Sequence, residues 1–460
     1  MEPSHTNSII ATLHHESCSL QAGVLKLPFF SALCSGTLPR ESYVNQLRVF
    51  AALFNTLERL FAYLVTMENL GQGNANSTRM VEAASVLEPA VRAVLGVAES
   101  HFGHLMDDLG CLNSAIIPEI TGVRRQVDTL IARMRYLANE DPVCLMGYVF
   151  TFQSLLQINS ANGSAVRRCF HLEHADKGAL FYAGYGDKAL EYQAVYENRM
   201  NSFELDEQAV SRLMGGMHES FGFMTGIHAA LYPLPAADGM KFSAASINPE
   251  ASSHEVPANE GEVAAAVAAG RLCLEEFAYF NARYGERGRR FASGDTAWLV
   301  TLSRLSQSEL VRKTAWFGNF LAVQGMPRLT LERQLFYLHQ ELIKAFPDQQ
   351  EEYGMLLEAV AWLKSERLKQ ISADDFDSLI RAFTAMTDNE LDGRMKGTGP
   401  LIVSAVCDER AGVKVEKPRS IETWLTSADS FDAEWIAAVQ EIFAQARAVC
   451  GNKNISVTGV

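Results

Sequence analysis

Basic charge is scarce in this 460-residue chain: 40 Lys and Arg stand against 54 Asp and Glu, giving a formal net charge of −14. That balance argues against a nucleic-acid partner or an anionic membrane surface, because both attract clustered Lys and Arg. Cysteine is sparse and irregular. Cys18, Cys34, Cys111, Cys144, Cys169, Cys273, Cys407 and Cys450 contain no C-x-x-C pair, so neither a disulfide framework nor a zinc knuckle is expected, and reduced thiols in a cytoplasmic protein fit better. The opening "MEPSHTNSIIATLHHESCSL" lacks a basic stretch leading into an apolar one, so a signal peptide is not expected. No uncharged apolar run reaches the length of a membrane span, and none is expected. Alternation with period two, the mark of a half-buried strand, is missing before residue 235, and no Gly-x-x-x-x-Gly-Lys loop occurs anywhere.

Helical periodicity is what the chain has instead. In "LPFFSALCSGTLPRESYVNQLRVFAALFNTLE" (27–58) and just beyond, Tyr43, Leu47, Phe50, Phe54, Leu57, Phe61 and Leu64 recur at alternating intervals of four and three, which is one helical face. Gly36 and Thr37 suit the end of one helix and the cap of the next, Pro39 and Glu41 suit a first turn, and Gly71 suits a stop. The segment therefore reads as a helix hairpin. Similar patterns predict helices over 79–109, 122–138, 142–170, 188–200 and 206–231, with a glycine- and aromatic-rich loop at 176–186. Residues 233–261 are rich in Pro, Ala, Ser and Asn without periodicity and read as a linker. Helices then recur over 262–284, 295–305, 307–324, 328–346, 350–370 and 373–386, followed by a β-like run in 399–415 and a helix near 432–448. The expected fold class is all-α: a helical domain over 1–232, the linker, a second helical domain over 262–390 and a short mixed α/β tail over 391–460.

Three stretches, "LPFFSALCSGTLPRESYVNQLRVFAALFNTLE", "GYVFTFQSLLQINSANGSAVRR" (147–168) and "GALFYAGYGDKALEYQAVYENRMN" (178–201), occur in an order and spacing that resembles the bacterial, biliverdin-forming heme oxygenases. The resemblance covers about residues 8–232. It implies a bundle that holds heme between a proximal and a distal helix, opens the porphyrin to biliverdin with oxygen, and takes electrons from a separate reductase. The proximal helix of such a protein supplies a histidine to iron, and glycines in the distal helix let its backbone approach the ring. Here Gln21 stands in the histidine's usual place, with His15 and His14 six and seven residues before it. On an unbroken helix that is about 10 Å at 1.5 Å per residue. His14 or His15 is therefore the iron ligand only if the helix is shifted or broken. Ile158 and Asn159 stand on the glycine pair. The resemblance assigns Gln153, Gln157, Ile158 and Asn159 to the distal wall, Arg167 and Arg168 to the heme propionates, and Tyr182 to the edge of the pocket.

Other groupings have two readings each. "ESHFGHLMDDLG" gathers Glu99, His101, His104, Asp107 and Asp108, which with His218, Glu219 or His228 would hold non-heme iron as in di-iron relatives of the same fold, or would simply be a solvated helix end. His171, His174 and Lys177 follow the arginine pair, and Tyr185 follows Tyr182; exposed helix-end charge and packing are the plainer readings. Cys111 and Cys144 lack the glutamate pair that a thiaminase-like nucleophile needs. Arg283, Arg287, Arg289 and Arg290 form a basic patch for an acidic partner or a phosphate, or an interface with Trp298, Trp316 and Trp362. His339 sits in an apolar helical context suited to a buried structural histidine. Two function classes follow: a divergent heme oxygenase, and a non-catalytic binding or regulatory protein that grips a tetrapyrrole or another apolar small molecule, its second domain contacting a partner or forming a homodimer.

Overall fold

Ser8 opens the first helix by accepting the amide of Ala11 on its side chain, and α1 runs Ile9–Leu25. Helix α2, Pro28–Ser35, has its proline in the first turn and ends at Gly36, whose φ of 74° is the left-handed conformation that lets the chain reverse. Helix α3, Arg40–Leu70, completes the hairpin. The computed structural model describes residues 8–70, 101–172, 178–183, 189–201, 205–248, 250, 255–387 and 395–452. The expected stop at Gly71, the expected helix from 79 to 100, Glu99, His174, Lys177 and Tyr185 lie outside the described residues, as do the side chains of Phe61 and Leu64.

The remaining helices of the first part are α4 (His101–Cys111), α5 (Thr121–Glu140), α6 (Pro142–Ala161), α7 (Gly163–Phe170), the single turn α8 (Leu180–Ala183), α9 (Ala189–Asn201) and α10 (Glu207–Leu231). Asp141 caps α6 through the Cys144 amide, and Asp206 caps α10 through that of Ala209. Two short strands, β1 (Glu119–Ile120) and β2 (Met240–Lys241), pair antiparallel with Glu119 opposite Lys241. The chain divides into two units, Met1–Lys241 and Phe242–Val460. The division falls inside the 233–261 stretch, of which 240–241 is strand β2 and Ala244–Ile247 forms a short helix, α11. The prediction of one helix over 142–170 is corrected: Asn162 interrupts it, because Gly163 seats α7 directly on the backbone of Tyr182, where a Cβ would stand 2.8 Å from the carbonyl oxygen.

Unit two is helical among its described residues: α12 (Glu260–Glu276), α13 (Ala278–Val300, kinked at Gly285), α14 (Gln307–Val323), α15 (Leu329–Ala345), α16 (Gln350–Gln370), α17 (Ala373–Met386), α18 (Thr398–Arg410), α19 (Ile421–Leu425) and α20 (Ala433–Asn452). The expected β-like run in the mixed tail is a second correction. "LIVSAV" lies inside α18, and every residue from Leu401 to Asp408 is buried. A helix covered on all sides shows no 3.6-residue stripe, so its β-branched residues read as strand. Trp435, Val439, Ile442, Phe443 and Ala446 of α20 cover it. The all-α class therefore extends to the described part of the tail.

Candidate functional site

Helices α1 and α6 are the two that the heme-oxygenase resemblance would place on either face of a porphyrin. His14 projects from α1 with its ring edge-on to Phe150 of α6, the centroids 5.3 Å apart. Its Nε2 lies 3.3 Å from Oε1 of Glu197 on α9, which also accepts the Gln193 amide at 2.8 Å. His15 is exposed on the neighbouring surface of α1. Gln21 donates its Nε2 to Ser17 Oγ at 3.0 Å, one turn back on its own helix. The imidazole is thus engaged by an aromatic ring and by a carboxylate in this structure.

On the distal side the side chains expected to line the slot differ in exposure. Ile158 and Asn159 are both buried in α6, Gln153 is half-buried and Gln157 is exposed. Glycine is present on α6, but it serves another contact. A Cβ on Gly147 would stand 2.3 Å from the Leu213 carbonyl oxygen, and one on Gly216 of α10 would stand 2.0 Å from that of Cys144. The glycines thus let α6 and α10 touch backbone to backbone, not backbone to ligand. Arg167 and Arg168 occupy the last turn of α7, where their charge suits the helix dipole; Arg167 is half-buried and Arg168 exposed. Heme held as the resemblance implies does not fit these residues.

Deeper in the unit, a set of polar side chains has been brought together that the sequence showed only in pieces. The Tyr182 hydroxyl donates to Oε1 of Gln46, the Gln46 amide meets Nε2 of His228 at 3.1 Å, and Nδ1 of His228 meets the Met224 carbonyl at 2.8 Å. All three side chains are buried. The chain of bonds assigns the tautomer: Nδ1 carries the proton and donates, Nε2 accepts. Burial, opposed by the bond to Met224, lowers the His228 pKa to about 4, so the ring is neutral near pH 7. Phe30 stacks on it at 5.3 Å, and Phe29 and Phe50 stand edge-on. Burial also raises the Tyr182 hydroxyl above its ordinary value. Gln46 was missed as a site residue. Its signal was a polar residue three after Tyr43 and four before Phe50, inside the apolar stripe of α3.

Asp108 of α4 fixes the same region from the other side. Its two carboxylate oxygens accept the amides of Leu180 and Phe181 at 2.8 and 2.9 Å, which pins α8 and hence Tyr182. Burial raises its pKa to about 6 despite those bonds. Other polar residues of α3 hold the adjoining loop: Asn45 donates to the Pro118 carbonyl at 3.0 Å and accepts the Ile120 amide, while Arg48 donates to the Ile117 carbonyl at 2.7 Å.

The expected iron cluster does not converge. Asp108 is engaged with backbone, His228 lies in the polar chain, Glu219 pairs with Arg133 at 3.0 Å, and Asp107 and His218 are exposed. His101 is buried, which lowers its pKa to about 4. Among the described residues no group of three or more His, Cys, Asp or Glu is arranged to hold a metal ion. Cys144 is a buried thiol pushed up to about 11, chiefly by burial, and Cys111 is exposed. His171 sits exposed at the end of α7 in the left-handed conformation.

In the second unit the arginine patch is already matched. Arg287 and Arg290 bind Glu250 at 2.8 and 2.9 Å, Arg289 pairs with Glu286, and Arg283 meets Tyr279 and the Arg419 carbonyl. Trp362 and His339 are both half-buried, and burial lowers the His339 pKa. Among the described residues no single helix is long and apolar enough to cross a membrane. No family model matches the chain, and no curated protein matches it in sequence.

Proposed function

We propose that this chain is a non-catalytic binding or regulatory protein, built on a heme-oxygenase-like helical bundle that has given up iron chemistry. The observation that carries the reading is the contact of His14 with Phe150 and Glu197: the histidine offered as iron ligand is occupied, and the helix opposite it presents a ring. Ile158 and Asn159, buried where the family's glycines would be, support it independently. So does the use of Gly147 and Gly216 to join α6 to α10. With the slot filled, the first unit works as a packed scaffold centred on the Tyr182, Gln46 and His228 chain, and its binding is done from its surface.

Titration with hemin tests this. No saturable histidine-type Soret band is expected, and the spectra of His14→Ala and His15→Ala should match that of the parent. A saturable band that disappears in either variant would overturn the reading and restore the oxygenase, its cofactor heme and its reductase partner.

A further inference from the structure

Helix α5 turns Val123, Val127, Leu130, Met134 and Leu137 into the core of the first unit. Its outer side carries Arg125, Thr129, Ala132, Tyr136 and Glu140, which follow at helical intervals of three or four and are all exposed. Tyr136 is a large aromatic residue left 56% in solvent. The Arg133 guanidinium lies over its ring at 5.3 Å, and that cation is itself neutralised by Glu219 of α10, which accepts two hydrogen bonds from it at 3.0 and 3.2 Å. The cation steadies the ring without burying it.

Where α5 lies beside α10, an open cleft of about 370 Å³ is lined by Gln126, Thr129, Glu219, Gly222 and Phe223. Gly222 keeps its mouth clear, since a Cβ there would meet nothing within 4 Å. The polar lining is mostly spent: Glu219 is bonded to Arg133, and the Thr129 hydroxyl donates to the Arg125 carbonyl at 2.9 Å. Among the described residues no hydrogen bond engages the Gln126 amide. A small polar ligand is held by several convergent groups, which this cleft lacks. An aromatic side chain with a single hydroxyl asks for an apolar wall and one hydrogen-bond partner, which Phe223 and Gln126 supply. Tyr136 cannot enter the cleft of its own chain, because it stands about 10 Å along the same helix from Thr129. A second copy laid antiparallel along α5 removes that obstacle. The register that sets Tyr136 over the partner's Thr129 sets Thr129 under the partner's Tyr136, as a two-fold axis requires. The same register brings Arg125 opposite the partner's Glu140, and neither residue has an ion pair to another described residue. Ala132 falls beside the axis, where a small side chain lets the helices approach, and the two helix dipoles oppose.

We propose that the chain pairs with a second copy of itself through this face, each Tyr136 seated in the partner's cleft and each Arg125 set against the partner's Glu140. The inference concerns the outer surface of α5 and α10 and does not rest on whether the heme slot is filled.

Sedimentation equilibrium of the full chain between about 1 and 200 µM tests it. A monomer–dimer equilibrium is expected, and Tyr136→Ala should raise its dissociation constant roughly a hundredfold or more, since the dimer contains the contact twice. Gly222→Leu fills the cleft and should do the same. Because that position is open and helical, this variant should melt no lower than the parent at a dilution where both are monomeric, which separates loss of pairing from loss of fold. Arg125→Glu and Glu140→Arg should each weaken the dimer by roughly tenfold, and the two together should restore it. A chain that stays monomeric throughout leaves the cleft to a different occupant and overturns the proposal. So does a dimer that ignores Tyr136→Ala and Gly222→Leu, or a doubly reversed variant that pairs no better than either single one.

Discussion

His228 gains nothing from being a base: it is buried, stacked on Phe30 and bonded at both nitrogens, and its folded pKa of about 4 lies below the ordinary value of 6.5. Between those two values the unfolded chain binds a proton that the folded chain refuses. Its contribution to stability is therefore complete above about pH 6.5 and falls as the pH drops toward 4, by about 1.4 kcal/mol per pH unit for one such proton. His101 acts in the same direction. Asp108 acts against both, because a carboxyl raised to about 6 takes up its proton first in the folded state and gains on acidification. Two histidines outweigh one carboxyl, so these groups together weaken the first unit below pH 6.5. His228→Leu should cost about 1–3 kcal/mol at pH 7, since it leaves the Gln46 amide buried and unpaired, while its urea midpoint should vary less with pH between 6.5 and 4 than the parent's. An unchanged pH slope would mean that His228 is not the group held neutral.

Helix α10 offers a paired test at adjacent positions. Gly216 faces the α6 backbone, and an added Cβ would stand 2.0 Å from the Cys144 carbonyl oxygen, whereas one on Gly215 meets nothing within 4 Å. Gly216→Ala should force the two helices apart at a cost of about 1–3 kcal/mol or more. Gly215→Ala should stabilise by about 0.4–1 kcal/mol, because the helical backbone is kept and the unfolded chain loses freedom. Thermal melts of the two variants check both signs at once; equal shifts would show that α6 and α10 are not in backbone contact. The same elements show how far the sequence could be read. Helices with one wet face, such as α5, α15 and α17, are legible through their apolar stripes and caps, and their observed ends lie within a few residues of those expected. Helix α18 did not, because it is buried all round and its composition favours strand. The break at Asn162 was also hidden: what interrupts the helix is the backbone of Tyr182, distant in sequence. At the site, Tyr182 and His228 could be picked out as polar residues in apolar surroundings, but their union through Gln46 depends on the meeting of α3, α8 and α10, which no spacing in the sequence encodes.

At the scale of the whole chain, each unit has a core of its own. The first is built on Leu47, Phe50, Leu130, Tyr148 and Leu213, the second on Tyr279, Leu401, Trp435, Val439 and Ile442. Domains of this size bury enough apolar surface to fold alone. Where the first unit ends is a sharper question, since a boundary at 232 and one at 241 differ by strand β2. Met240 and Lys241 pair with Ile120 and Glu119, and Leu234 and Met240 pack against the first core. A fragment ending at Lys241 should therefore melt cooperatively, and one ending at Tyr232 should also fold but with less to hold β1 in place. Losing a pairing of two residues, at about 0.5–1.5 kcal/mol per hydrogen bond, should lower Tm by roughly 2–4 °C for each kcal/mol lost in a unit of this size. Calorimetry on the two fragments measures it directly. Equal melting temperatures would show that β2 adds nothing to the first unit, and absence of any cooperative transition in the longer fragment would show that its core depends on the rest of the chain.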